Sequence, residues 1–230
     1  MKHNIAVIGA MKEEITFLLT KLEKTKKETV AQHVFYTGTL FQHSIVLVES
    51  GVGKVASGIT TAILMEHYPQ TELIINVGVA GGVPTMQIGD IVVGDNYVYG
   101  DVDISMGGNY RFGQMARCPF LFKGEEKALH VADHLHAHIG TICTVDRFVV
   151  NWEDTSLLLQ RHFSDLNILC FDMESTAFAQ SAYFFNIPFL AIRAISDIIG
   201  SKKEEESFQT NMEKAAEASN QFLYQMLEKL

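Results

Sequence analysis

The chain is 230 residues long, with 47% hydrophobic and 20% charged residues and a formal net charge of −9. That length suits one large α/β core, the composition excludes a disordered or fibrous chain, and the negative balance opposes binding to a nucleic-acid backbone, which depends on Lys and Arg. No apolar run is long enough to span a bilayer, and the opening run Ile5–Ile8 is too short for a signal peptide, so the cytoplasm is the expected location and neither nucleic acid nor membrane is an expected partner.

Taken in chain order, the β-branched run Ile5–Ile8 predicts a buried strand, and Ile15, Leu18, Leu19 and Leu22 follow it at helical spacing. Ser44–Val48 predicts a second strand, with Val55, Ile59, Ala62 and Ile63 as the apolar pattern of a helix behind it. Further apolar runs at Leu73–Val79, Ile91–Val98, Ile139–Val145, Ile168–Phe171 and Phe189–Ile195 extend the alternation. Strands that alternate with helices argue for a parallel or mixed sheet covered on its faces. At the end, Phe208, Met212, Ala215, Ser219, Phe222, Met226 and Leu230 mark a long amphipathic helix with Ser207 as its expected cap, and the charged run 202–206 before it reads as a solvated loop. No repeat or Pro- or Ser-rich linker marks a boundary, so one domain spanning residues 1–230 is expected. Cys118, Cys143 and Cys170 are odd in number and form no CxxC pair, which fits reduced structural thiols.

Several local motifs fail on inspection. Gly51-Val52-Gly53-Lys54 has the wrong glycine spacing for a phosphate loop and places Val55 where a Mg²⁺-binding hydroxyl is required. Gly78–Gly82 is glycine-rich after a strand but is not GxGxxG. His130, His134, His136 and His138 have no carboxylate or Cys motif to complete a metal site and read as surface residues.

What survives is a set of carboxylates at strand ends or helix starts, where open α/β sheets place ligands. Glu14 follows the first strand and Glu174 the run Ile168–Phe171; each is open to a second reading as ordinary helix-start chemistry favoured by the macrodipole. Asp197 ends a near-continuous apolar run and precedes Ile198-Ile199, so it is expected to be desolvated, and a buried lone carboxylate suggests an acid.

Gly9-Ala10-Met11 with Glu13-Glu14, Ser50–Val55, Asn76–Gly82, Gly89–Val93, Asp172-Met173-Glu174 and Arg193–Asp197 occur in this order across nearly the whole chain. In this it resembles the 5′-methylthioadenosine/S-adenosylhomocysteine nucleosidases of the purine nucleoside phosphorylase superfamily. The resemblance implies a nucleoside phosphorylase-like α/β fold with a central mixed β-sheet flanked by helices, an adenine nucleoside as ligand, a homodimer, and no metal or cofactor. By position it makes Glu14 the base that activates water, Glu174 the holder of ribose hydroxyls and Asp197 the acid serving adenine N7. It further implies Met173 and Arg193 beside the ribose, Phe148 stacked on the purine, the backbone of Val149 at the adenine edge, and Phe208 closing the site. Met11, Val52, Val79 and Ser196 join them as substrate-lining positions, and Ile104, Met106 and Ala116 would complete the 5′ pocket of a partner subunit.

The sequence departs from that pattern in places. Val79 stands where the family usually has a Ser that can bond the acid, and Cys143–Arg147 replaces a more usual Ser-Gly-Asp-like approach to the purine loop. The aromatic expected near Met106-Gly107 is missing and Ala116 replaces a Pro, which predicts a larger 5′ pocket with weaker discrimination. A phosphorylase of the same superfamily is the nearest competing reading, and a catalytically silent nucleoside-binding relative a second. Against the first, residues 1–110 contain no Arg, the usual partner of phosphate, and Val79 offers no hydroxyl.

Overall fold

The computed structural model describes residues 4–201 and 204–230. Its strands are β1 (Asn4–Gly9), β2 (Glu23–Val30), β3 (His33–Leu40), β4 (His43–Glu49), β5 (Leu73–Gly82), β6 (Ile91–Tyr99), β7 (Phe122–Lys123), β8 (His138–Thr144), β9 (Ile168–Asp172) and β10 (Phe189–Ile198). The helices are α1 (Glu13–Lys21), α2 (Lys54–His67), α3 (Glu126–His134), α4 (Trp152–His162), α5 (Ser175–Phe185) and α6 (Glu204–Lys229).

All strands join one mixed sheet, ordered β10-β6-β8-β9-β5-β1-β4-β3-β2, with β7 paired to β6. Because β10 also pairs with β5, the strands β5, β10, β6, β8 and β9 close a ring, and β1, β4, β3 and β2 extend from it. The core strands β1, β4, β5 and β10 are parallel to their neighbours in that stretch. Such strands are covered on both faces and therefore read as continuous apolar runs. One apolar cluster packs β1, β5 and β10 under α1 and α6, through Ile15, Leu18, Leu223 and Leu227; the other fills the opposite side, against α2 and α5, through Leu64 and Phe178.

Every apolar run marked in the sequence is a strand. Missed were β2, β3 and the short β7, and the reason is physical. β2 reads Glu-Lys-Thr-Lys-Lys-Glu-Thr-Val and is exposed at every position but the last, so it has no apolar face to recognise. It is an edge strand guarded by lysines, the usual protection against edge-to-edge association. The helix after β4 forms as expected, but of its four marked apolar residues Ile63 alone packs, half-buried, against the core, and the other three face outward. Val55 is 73% exposed and Ile59 51%, and Ala62 is exposed, whereas Ser57, Thr60, Thr61, Leu64 and Met65 face the core. Ser57 and Thr61 satisfy their hydroxyls on backbone carbonyls one turn back, which makes that polar face compatible with burial.

α6 buries Ala215, Ser219, Phe222 and Met226 as the spacing indicated. It opens at Glu204, ahead of the expected cap Ser207 and within the charged run, so the loop is shorter than expected. Lys202, Lys203 and the side chains of residues 204–207 lie outside the described residues. His130, His134, His136 and His138 are exposed on and after α3. No helix among the described residues is long and apolar enough to cross a membrane.

Candidate active site

A cavity opens where the chain leaves the carboxyl ends of six strands. It is lined by Ala10 and Met11 after β1, Val52 after β4, Val79–Gly81 in β5, Arg147–Val149 after β8, Phe171–Glu174 around the end of β9, and Ser196 and Asp197 in β10. Glu14 lies at its floor, and Phe208 reaches it from α6.

Glu14 sits in the first turn of α1 but does not act as an ordinary helix-start carboxylate. It is 3% exposed and curls back toward β1, where Oε2 accepts from the backbone N–H of Ala10 at 2.7 Å and of Met11 at 3.1 Å. Its Oε1 accepts from the N–H of Val79 at 3.1 Å, so the carboxylate is fixed from two strands. Burial pushes its pKa up, opposed by the Arg193 charge and by these three donors.

Glu174 occupies the N-cap position of α5, yet its side chain does not cap that helix. Asp172 does so instead, accepting from the Ser175 backbone N–H at 3.1 Å and from the Ser175 hydroxyl. The Glu174 carboxylate is thereby free to face the cavity, with Oε1 accepting from the Gly53 N–H at 2.9 Å. Burial and the nearby Asp172 carboxylate drive its pKa well above the usual carboxylate range.

Asp197 owes its direction to an irregularity. The β10–β5 register shifts between Ile195 and Asp197, pairing Ile195 with Ala80 and Asp197 with Gly81 and leaving Ser196 as the extra residue. In a regular strand successive side chains take opposite faces, whereas a bulge re-aims them; here both Ser196 and Asp197 reach the cavity. The Ser196 hydroxyl donates to Asp197 Oδ1 at 2.6 Å. Asp197 Oδ2 is buried and has no hydrogen-bond partner among the described residues. Burial raises the pKa of this group, with the Ser196 bond acting the other way.

Arg193 is placed differently from its expected position among the substrate-lining residues. It is 1% exposed and lies beneath the cavity: Nε and Nη2 bind Asp172 Oδ2 at 3.0 and 2.8 Å, Nη2 also binds Asn76 Oδ1, and Nη1 binds the Ile192 carbonyl at 3.0 Å. Asn76 is anchored in turn by donating to the Ile8 carbonyl at 2.9 Å. This buried platform of Asp172, Arg193 and Asn76 carries the cavity floor. Sequence reasoning did not assign Asp172 or Asn76, although an Asn inside the apolar run Leu73–Val79 and an Asp ending another were visible signals.

Met11, Val52, Val79, Phe148, Val149, Met173, Ser196 and Phe208 all border the cavity. Phe148 and Phe208 meet edge to face, with ring centres 5.1 Å apart and planes at 73°. Arg147, a lining residue that had not been singled out, stands beside them. Ile104, Met106 and Ala116 are not brought to this cavity: Met106 is 98% exposed, and Ile104 and Ala116 are also exposed, on the excursion between β6 and β7.

A sequence model of the phosphorylase superfamily matches residues 4–228. A curated protein of Anoxybacillus flavithermus named 5′-methylthioadenosine/S-adenosylhomocysteine nucleosidase is 37% identical, over 99% of this chain and 99% of its own. The S-adenosylhomocysteine nucleosidase of Streptococcus pyogenes, solved in complex with 5-methylthiotubericidin, superposes with a TM-score of 0.92 at 36% identity, covering 100% of this chain and 97% of that one. The Streptococcus pneumoniae 5′-methylthioadenosine/S-adenosylhomocysteine nucleosidase, with the transition-state inhibitor MT-ImmA, gives 0.91 at 35% identity, over 99% of both chains. This chain belongs to the phosphorylase superfamily and, within it, to the family of 5′-methylthioadenosine/S-adenosylhomocysteine nucleosidases.

Proposed function

We propose that the protein hydrolyses the N-glycosidic bond of 5′-methylthioadenosine and S-adenosylhomocysteine, releasing adenine and the 5′-modified ribose, through one domain spanning residues 1–230. The observation that carries this reading is the buried Asp197 carboxyl, with Oδ1 taken by Ser196 and Oδ2 without a partner among the described residues. Burial favours the protonated form of this acid, and a proton on the free oxygen would suit N7 of a departing adenine. Adenine leaves as the sugar takes on oxocarbenium character. Glu14 accepts the proton of the attacking water, fixed by three backbone donors and moderated by Arg193. Glu174 holds ribose hydroxyls, Met173 supports the sugar, and Phe148 and Phe208 cover the purine while the Val149 backbone reads its edge.

Water is favoured over phosphate as nucleophile because the buried Arg193 is already committed to Asp172 and Asn76, and Val79 presents an isopropyl group rather than a hydroxyl. The test is to incubate the protein with adenine nucleosides and follow free adenine. Release at the same rate with and without phosphate supports hydrolysis; dependence on phosphate overturns it.

The working unit in this proposal is a homodimer. The outward stripe of Val55 and Ile59 on α2, with Tyr183, Phe184 and Phe185 exposed on α5, is the kind of apolar surface that a partner covers. Ile104, Met106 and Ala116 would then serve the other subunit's 5′ subsite, with weak discrimination among methylthio, homocysteinyl and deoxy groups. A cytoplasmic location and a part in methionine salvage complete the reading.

A further inference from the structure

Beside the cavity mouth, Lys54 gathers side chains that the mechanism does not use. Its ammonium lies 2.5 Å from Asp101 Oδ1 and 3.8 Å from Asp146 Oδ2, with 5.2 Å to the centre of the Tyr99 ring. Asp146 Oδ1 accepts the Lys54 backbone N–H at 3.0 Å, and the Asp146 N–H donates to Asp101 Oδ2 at 2.9 Å. Lys54 is the first residue of α2, and its N-cap is Gly53, which has no side chain to satisfy the orphan donors of that turn. Asp146 therefore caps α2 from another loop.

Gly53 is the residue whose N–H holds Glu174. Its φ is +94°, a conformation that favours glycine, and a Cβ there would meet Asp146 Oδ1 at 3.2 Å. Asp146 immediately precedes Arg147, Phe148 and Val149, which border the cavity at the purine side. The same carboxylate thus fixes the start of the purine loop and the turn that supplies the Glu174 donor.

We propose that Asp146, through Lys54 and Gly53, is a positioning residue for Glu174, tying the purine loop to the grip on the ribose. The inference rests on Glu174 as the ribose holder. Its charges are part-exposed, at 20% for Lys54 and 47% for Asp146, so the ion pair adds little stability and its effect falls on placement. Asp146→Ala removes the acceptor, whereas Asp146→Asn keeps an oxygen for the Lys54 N–H.

The experiment compares kcat/KM for 5′-methylthioadenosine with that for its analogue lacking both ribose hydroxyls, in Asp146→Ala, Asp146→Asn and Glu174→Gln, with melting temperatures recorded. Asp146→Ala is expected to lose about tenfold on the ribonucleoside and no more than about twofold on the analogue, with Asp146→Asn retaining most activity, as fits loss of orientation at one hydrogen bond to a charged group. Glu174→Gln should show the same selectivity more strongly. If Glu174→Gln is selective and Asp146→Ala is not, the positioning role is wrong. Equal losses on both substrates in Glu174→Gln overturn the ribose assignment, and the inference with it. Should Asp146→Ala fail to fold, Asp146→Leu, which removes the acceptor at similar size, must show the selective loss, while Lys54→Met, which keeps the backbone donor to Asp146, must not, or the proposal fails.

Discussion

Glu14 fills the space over Gly78: a Cβ on Gly78 would stand 2.5 Å from Glu14 Oε1 and 3.0 Å from its carboxyl carbon. Three backbone donors pin that carboxylate, so it cannot swing aside without losing them. Gly78→Ala should displace the base while β5 still forms, lowering kcat/KM by about 10²–10⁴-fold, the usual worth of a positioned general base. Glu14→Gln should fall in the same range. Near-normal adenine release by Gly78→Ala would show that Glu14 is not the base.

Asp197→Asn should abolish most turnover yet make the protein more stable. Burial holds the folded-state pKa of Asp197 above its ordinary value of about 3.9. The folded chain thus binds this proton more tightly than the unfolded chain. The resulting stability is complete below the ordinary value and is lost as pH rises through the folded one. An amide has no such loss. The melting temperature of Asp197→Asn should exceed that of the parent by a margin that grows from about pH 4 upward. A margin that shrinks as pH rises would contradict a raised acid.

Most of the sheet was legible because buried parallel strands write their burial as unbroken β-branched runs, as in Phe189–Ile195. β2 was not, since an edge strand of charges looks like a loop until β3 supplies its hydrogen bonds. In the site, Glu14, Glu174 and Asp197 could be marked from strand ends, but their orientation depends on events the motif does not record: the neighbouring Asp172 takes over the helix cap that Glu174 leaves, and a one-residue bulge against β5 turns Asp197 inward. Arg193 fitted the motif, but its place beneath the cavity is set by Asn76 and Asp172 on other strands, which the motif does not record. The inward Ser and Thr face of α2 was likewise hidden, since the sequence records an apolar stripe without saying what covers it.

Ser196 offers a test of how the acid is tuned. Its hydroxyl donates to Asp197 Oδ1, and a donor to a carboxylate favours the ionised form. Removing it in Ser196→Ala should raise the Asp197 pKa further, so the alkaline limb of the kcat profile moves to higher pH. Turnover at neutral pH should fall by about tenfold or less, because a neutral hydrogen bond that orients the acid is lost. An alkaline limb that stays in place, or moves down, would separate Ser196 from the acid.

The outward face of α2 gives the last prediction. Val55 and Ile59 are one helical turn apart and both are more than half exposed, while the polar side of the same helix is buried. A chain that spends its apolar stripe on the outside is expected to cover it with a second copy, and a charge placed there meets desolvation on association. Ile59→Asp should therefore be monomeric at micromolar concentration by sedimentation equilibrium, with its circular dichroism unchanged because Ile59 is not in the core. In the proposed dimer, Ile104 and Met106 of the other copy would form the apolar wall of the 5′ subsite, so the monomer should still cleave adenosine but lose its preference for methylthioadenosine by about tenfold or more, the worth of a small apolar contact. A dimeric Ile59→Asp moves the interface elsewhere. A monomer that keeps the full methylthio preference shows instead that the 5′ group is read within a single chain.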